Sequence, residues 1–89
     1  LEAMACSLPV VATDVGDVRT VLPPDQSALL APADAEGAAV LAQGIAELAR
    51  SPEARRKLGE LNRRRVEISY TYEVMSASYR EIYRCSLAA

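Results

Sequence analysis

The sequence predicts an α/β fold: two short parallel strands followed by three helices, forming the closing part of a larger layered domain. Three observations predict it. First, Pro9-Val10-Val11-Ala12-Thr13 and Ala28-Leu29-Leu30-Ala31 are short apolar runs bounded by turn residues, the pattern of strands buried on both faces of a parallel sheet. Second, from Asp34 onward the apolar residues recur at spacings of three and four, which is one face of a helix. Third, two short strands do not make a stable sheet alone. The order helix, strand, loop, strand, helices therefore reads as the end of an α/β domain whose other strands lie upstream.

Each element has its own local signals. Leu1 to Cys6 consists largely of strong helix formers, and Ser7-Leu8-Pro9 ends the helix because the residue before a proline is pushed out of the helical region. In the loop after the first strand, Gly16 is available for a positive φ. Val18 to Leu22 has room for one or two helical turns before Pro23-Pro24. Asp34 is a good N-cap for a helix to about Arg50, with Ala38, Leu41, Ile45 and Leu48 on its apolar face. Gly37 and Gly44 weaken that helix. Ser51-Pro52-Glu53 restarts the chain as a second long helix: Ser as cap, Pro at the first helical position, an acid in the first turn. Ala54, Leu58 and Leu61 line its face, and it ends near Ser69. Thr71 caps a terminal helix over 71–87, whose stripe of Tyr72, Met75, Tyr79 and Ile82 is expected to be packing surface.

Composition narrows the function classes. The net charge is −2, with no basic excess to mark a nucleic-acid partner. His is absent, which removes the commonest general base and metal ligand together. Phe and Trp are absent too, so the core must come from Leu, Val, Ile and Ala. Cys6 and Cys85 lie far apart and form neither a metal signature nor a disulfide framework, so both are read as reduced thiols of a cytosolic protein. Asp14 and Asp17 flank Gly16 but supply too few oxygens for a cation; no metal site is expected. Arg63-Arg64-Arg65 reads as a solvated helix face, with contact to anionic lipid as the sharper alternative. No apolar run is long enough to span a bilayer.

The residue strings carry the reading further. Leu1-Glu2-Ala3-Met4-Ala5-Cys6-Ser7-Leu8-Pro9-Val10-Val11-Ala12-Thr13-Asp14-Val15-Gly16 closely resembles the family 4 retaining glycosyltransferases, whose pattern there is LEAMACGxPVVATxxGG. Ala28-Leu29-Leu30-Ala31-Pro32 resembles that family's GLLVPP strand, and the Ser-Pro-Glu restart with Arg-Arg-Lys-Leu-Gly and the aromatic–Thr–aromatic–Glu start of the last helix extend the likeness over nearly the whole chain. The sequence departs from the pattern at Ser7, where the family usually has Gly, at Asp17, where a second Gly is common, and at Arg19-Thr20, which replaces a frequent Pro-Glu.

The resemblance implies a GT-B architecture, two Rossmann-like domains facing a cleft, with this chain, 1–89, as the C-terminal portion of the nucleotide-sugar-binding domain. It implies transfer of a sugar from a nucleotide-diphosphate donor to a hydroxyl acceptor, sugar or lipid-linked, with retention and without a cofactor or required metal. By match, Glu2 is the second carboxylate of the family's Glu-x7-Glu motif and binds the donor ribose, a task that suits a group accepting two hydrogen bonds from a cis diol. The first Glu, the phosphate-binding cations and the N-terminal domain then lie outside this chain, and no catalytic residue is expected within it. A fragment of this kind is expected to be inactive by itself, and either marginally folded or associated. Its parent is expected in the cytoplasm, with peripheral contact at the inner membrane face as the alternative. The rival readings are a non-catalytic nucleotide-binding segment and a helical interaction module.

Overall fold

A computed structural model describes the backbone of residues 1–88, and the side chains of all of these except Ser27 and Ala28; Ala89, the last residue of the expected domain, lies outside the described residues. In chain order the elements are α1 (Glu2–Ala5), β1 (Ala12–Thr13), α2 (Val18–Val21), a 3-10 turn (Pro24–Leu29), β2 (Leu30–Ala31), α3 (Gly37–Arg50), α4 (Pro52–Ser69) and α5 (Tyr72–Ala88). The two strands pair in parallel, Ala12 with Leu30 and Thr13 with Ala31. The expected class, two short parallel strands followed by three helices, is the one observed.

Both strands are shorter than the apolar runs that announce them. Ahead of β1, the Val10 N–H is taken at 3.1 Å by the side-chain oxygen of Gln26 instead of a neighbouring strand. Ahead of β2, Ala28 and Leu29 belong to the 3-10 turn. Pairing therefore spans two residues on each strand and is extended only by the Asp14 N–H, which donates to the Ala31 carbonyl at 2.8 Å.

α3 lies across the strands on a face that keeps Leu41 and Leu48 of the expected stripe and loses the other two. Ala38 and Ile45 are exposed, whereas Gly37 and Gly44 are buried, with Val40, Leu41 and Leu48 half-buried beside them. The cause is close approach. A Cβ on Gly37 would collide with the Pro32 carbonyl oxygen, and one on Gly44 would sit 3.4 Å from both Leu29 and Val11. Gly37, a residue that lowers helix propensity, is what lets the start of α3 lie against the chain leaving β2, while at Gly44 a Cβ would make only ordinary contact. The start of α3 also moves: Glu36 is the N-cap residue, and Asp34 instead accepts a 2.9 Å hydrogen bond from the Glu36 N–H, forming a turn ahead of the helix.

α4 begins where the sequence places it. Ser51 Oγ accepts from the Ala54 N–H at 3.2 Å, with Pro52 at the first position. Ala54, Leu58 and Leu61 are half-buried as expected, and the fully covered residues between them are Gly59 and Asn62. Thr71 caps α5 through Val74 N–H at 3.2 Å. The expected packing stripe is overturned within this chain: Tyr72, Met75, Tyr79 and Ile82 are all exposed. α5 has no buried residue and extends away from the body, which accounts for principal extents of 52 × 29 × 17 Å given a helix about 26 Å long.

Candidate functional site

Glu2 opens α1, a single turn whose own backbone is closed by the Cys6 N–H donating to the Glu2 carbonyl at 3.1 Å. Its side chain is exposed, and no ion pair among the described residues engages it. The other side of α1 faces inward. Met4 is 1% exposed, and Leu1, Ala3 and Met4 form one wall of an apolar recess of about 380 Å³, closed by Val10 and Ala12 of the β1 segment and by Asp17, Val18, Val21 and Leu22 around α2. Glu2 does not line this recess. α1 thus buries Met4 and leaves the Glu2 carboxylate exposed.

α1 is held from behind by α4. Ser7 has φ +61°, a left-handed conformation that L residues adopt at a cost of about 1–2 kcal/mol. It turns the chain so that its carbonyl lies directly over Gly59, where a Cβ would collide with the Ser7 oxygen and sit 2.7 Å from its carbon. One helical turn further along α4, the Asn62 amide donates to the Leu8 carbonyl at 2.7 Å. Arg63 donates to the Ala5 carbonyl at 2.5 Å while Glu67 holds the same guanidinium at 2.7 Å.

Gln26 and Asn62 are both 0% exposed. Their amides pair reciprocally: Gln26 Nε2 donates to Asn62 Oδ1, and Asn62 Nδ2 donates to Gln26 Oε1 at 3.2 Å. With Leu8 and Val10 as backbone partners, no buried side-chain polar atom among the described residues lacks a partner. A buried polar network that is fully satisfied fixes one arrangement; a half-satisfied one would cost stability.

The arginines of α4 are spent in an unexpected way. Arg55 donates to the Leu48 and Ala49 carbonyls at the end of α3, 2.6 and 2.8 Å. Arg63 does the same for α1, and Arg65 for α2, through the Val21 and Thr20 carbonyls at 3.2 and 2.8 Å. One helix thereby caps the C-terminal carbonyls of three others, where cations also favour the helix dipole. Two members of the Arg63-Arg64-Arg65 run are engaged with backbone, so the triplet is not a uniformly solvated face.

The loop between β1 and α2 follows the glycine and the departures from the family pattern. Gly16 has φ +55°, as expected. Arg19 grips Asp14 through Nη2 at 2.6 Å and Nε at 3.1 Å; this hydrogen bond, and then the Asp14 charge, raise the Arg19 pKa above its usual value. Asp14 is thus tied to a cation of its own chain. Among the described residues no three His, Cys, Asp or Glu side chains gather as they would around a metal ion. Cys6 and Cys85 are free and exposed, and no helix among the described residues is long and apolar enough to cross a membrane.

Gly59, Gln26 and Asn62 were not singled out in the sequence. Asn62 carried a signal, a polar amide four residues after Leu58 on an otherwise apolar face; Gln26, in the 3-10 turn, carried none. Ser7 carried a strong one, standing where the resembled pattern has Gly.

Residues 1–65, which contain α1, both strands, α3 and most of α4, match the family described as glycosyl transferases group 1. The chain belongs to this family. It is 34% identical over 88 residues to the alpha-maltose-1-phosphate synthase of Mycolicibacterium smegmatis, a match covering 94% of this chain and 23% of that protein. The chain therefore spans less than a quarter of the length of that relative. No solved structure matches it with significance.

Proposed function

We propose that this chain is the C-terminal part of the donor-binding domain of a GT-B glycosyltransferase, and that Glu2 hydrogen-bonds the ribose of a nucleotide-diphosphate sugar. The reaction is transfer of the sugar to a hydroxyl acceptor, sugar or lipid-linked, with retention and without a cofactor or required metal. The observation that supports this reading best is the family match beginning at residue 1, over a string in which Glu2 is held out of the core on a rigidly backed turn. The residues expected to hold the diphosphate and to perform the chemistry belong to the parent outside this chain, so the 89 residues alone transfer nothing. The parent works in the cytoplasm.

The test is Glu2→Gln in the protein expressed from its complete reading frame, titrated with UDP, GDP and ADP. Gln offers one acceptor oxygen where the carboxylate offers two and adds donors the diol does not need. Loss of a charged hydrogen bond costs about 1.5–3 kcal/mol, or roughly ten- to a hundredfold in affinity. The melting temperature is expected to stay unchanged because Gln is a comparable helix former. Unchanged affinity for the nucleotide that binds the wild type would remove Glu2 from the site. No binding of any nucleotide by the wild type would favour the helical interaction module, which the exposed face of α5 supports.

A further inference from the structure

We propose that α4 is the positioning element for Glu2, with Arg63 as the residue that sets the direction of its carboxylate; this rests on the ribose-binding reading of Glu2. α1 is one turn long, too short to hold its own axis, since an isolated turn is unstable in water. Its orientation must come from its attachments, and the polar ones lie on one neighbour. The Ala5 carbonyl is held by Arg63, the Leu8 carbonyl by Asn62, and the Ser7 carbonyl is seated over Gly59.

These contacts sit at the C-terminal end of the turn, while Glu2 sits at its start, joined to Cys6 by the helical hydrogen bond. A small tilt at Ala5 is therefore carried directly to the Glu2 Cα. Arg63 suits this role better than its neighbours. Asn62 and Gly59 are buried and also hold the fold together, whereas the Arg63 side chain is 53% exposed and its guanidinium is steadied by Glu67. It can be removed without opening the core.

Ligand-binding groups work only when held within a fraction of an ångström of their productive position, so a residue that never touches the nucleotide changes its affinity by releasing Glu2. The experiment is a double-mutant cycle of Glu2→Gln and Arg63→Ala in the protein expressed from its complete reading frame, with UDP, GDP and ADP as probes and a melt of each variant. Arg63→Ala is expected to weaken binding of the nucleotide that Glu2 recognises by roughly three- to tenfold. In the Glu2→Gln background it is expected to have no further effect, because the two residues act through one contact. Arg63→Lys, which keeps one donor on a similar stem but cannot reach Ala5 and Glu67 through two separate nitrogens, is expected to recover binding only in part. Should Arg63→Ala lower the melting temperature sharply, Arg63→Met keeps the stem and removes only the donors, and serves as the same test. If Glu2→Gln weakens binding but the Arg63 variants leave it unchanged, or weaken it equally in both backgrounds, the positioning role is overturned while the ribose reading stands. If Glu2→Gln has no effect, the ribose reading fails and this inference fails with it.

Discussion

α4 and α5 are nearly the same length, 18 and 17 residues, and both have an apolar face, yet they sit in opposite situations. α4 is the more heavily charged of the two, and it is the hub of the chain. It packs on α1 and α3, caps α1, α2 and α3 with arginines, and buries a glycine and an asparagine at its centre. α5 carries Tyr72, Met75, Tyr79 and Ile82 in register and covers none of them. An amphipathic pattern reports that a helix has a face; it does not report that the same chain supplies the surface to meet it. What ties α4 in is a set of close backbone approaches and polar contacts that hydrophobic periodicity does not encode.

The strongest way to break this contrast is to fill the closest approach. Gly59→Ala is expected to destabilise the protein expressed from its complete reading frame by roughly 2 kcal/mol, because the clash outweighs the gain in helix propensity. The new Cβ would meet the Ser7 carbonyl, which is backbone, so no flexible side chain can move aside. The measure is the shift in urea midpoint at constant slope. An unchanged or raised midpoint would mean that α4 and the α1 turn are not pressed together.

A smaller effect of opposite sign is expected on the other side of the same contact. Ser7 holds φ +61°, and Ser7→Gly removes the strain of a side chain in that region while loosening the unfolded chain. The net gain is expected to be about 0.5–1 kcal/mol, read from the same midpoint. A loss would mean that the Ser7 hydroxyl contributes something beyond its backbone.

These two positions also mark how far the sequence could be read. The element order, the Ser51 cap, the Thr71 cap and the Gly16 turn were legible because each rests on local chemistry within a few residues. The unusual backbone at Ser7 was announced by the glycine of the resembled pattern. The face of α3 is legible only by half: Leu41 and Leu48 turn inward as the periodicity predicts, but so do Gly37 and Gly44, which propensity counts only as weak helix formers and which pack against Pro32, Val11 and Leu29. The Gln26–Asn62 pair joins residues 36 apart, and no local rule reaches that far. Glu2 is placed by resemblance; what lies beyond the sequence is its backing, since the side chains that hold the α1 turn are 54 and 58 positions downstream of the carbonyls they bind.

The smallest expected effect is the sharpest check on α5. Tyr79→Ser replaces an aromatic side chain, 58% exposed, by a short polar one in the protein expressed from its complete reading frame. At a buried position the loss of an aromatic side chain costs about 3–5 kcal/mol, whereas an exposed one that supports nothing costs less than about 0.5 kcal/mol. Helix propensities of Ser and Tyr are similar, so α5 itself is not expected to be further weakened. The measurement is amide hydrogen exchange across Gly59 to Asn62, which reports how often the centre of α4 opens. If α5 lends nothing to the body, protection there stays within about twofold of the wild type, the equivalent of 0.4 kcal/mol. A tenfold loss would show that α5 folds back onto α4 in solution, and the contrast between the two helices would collapse.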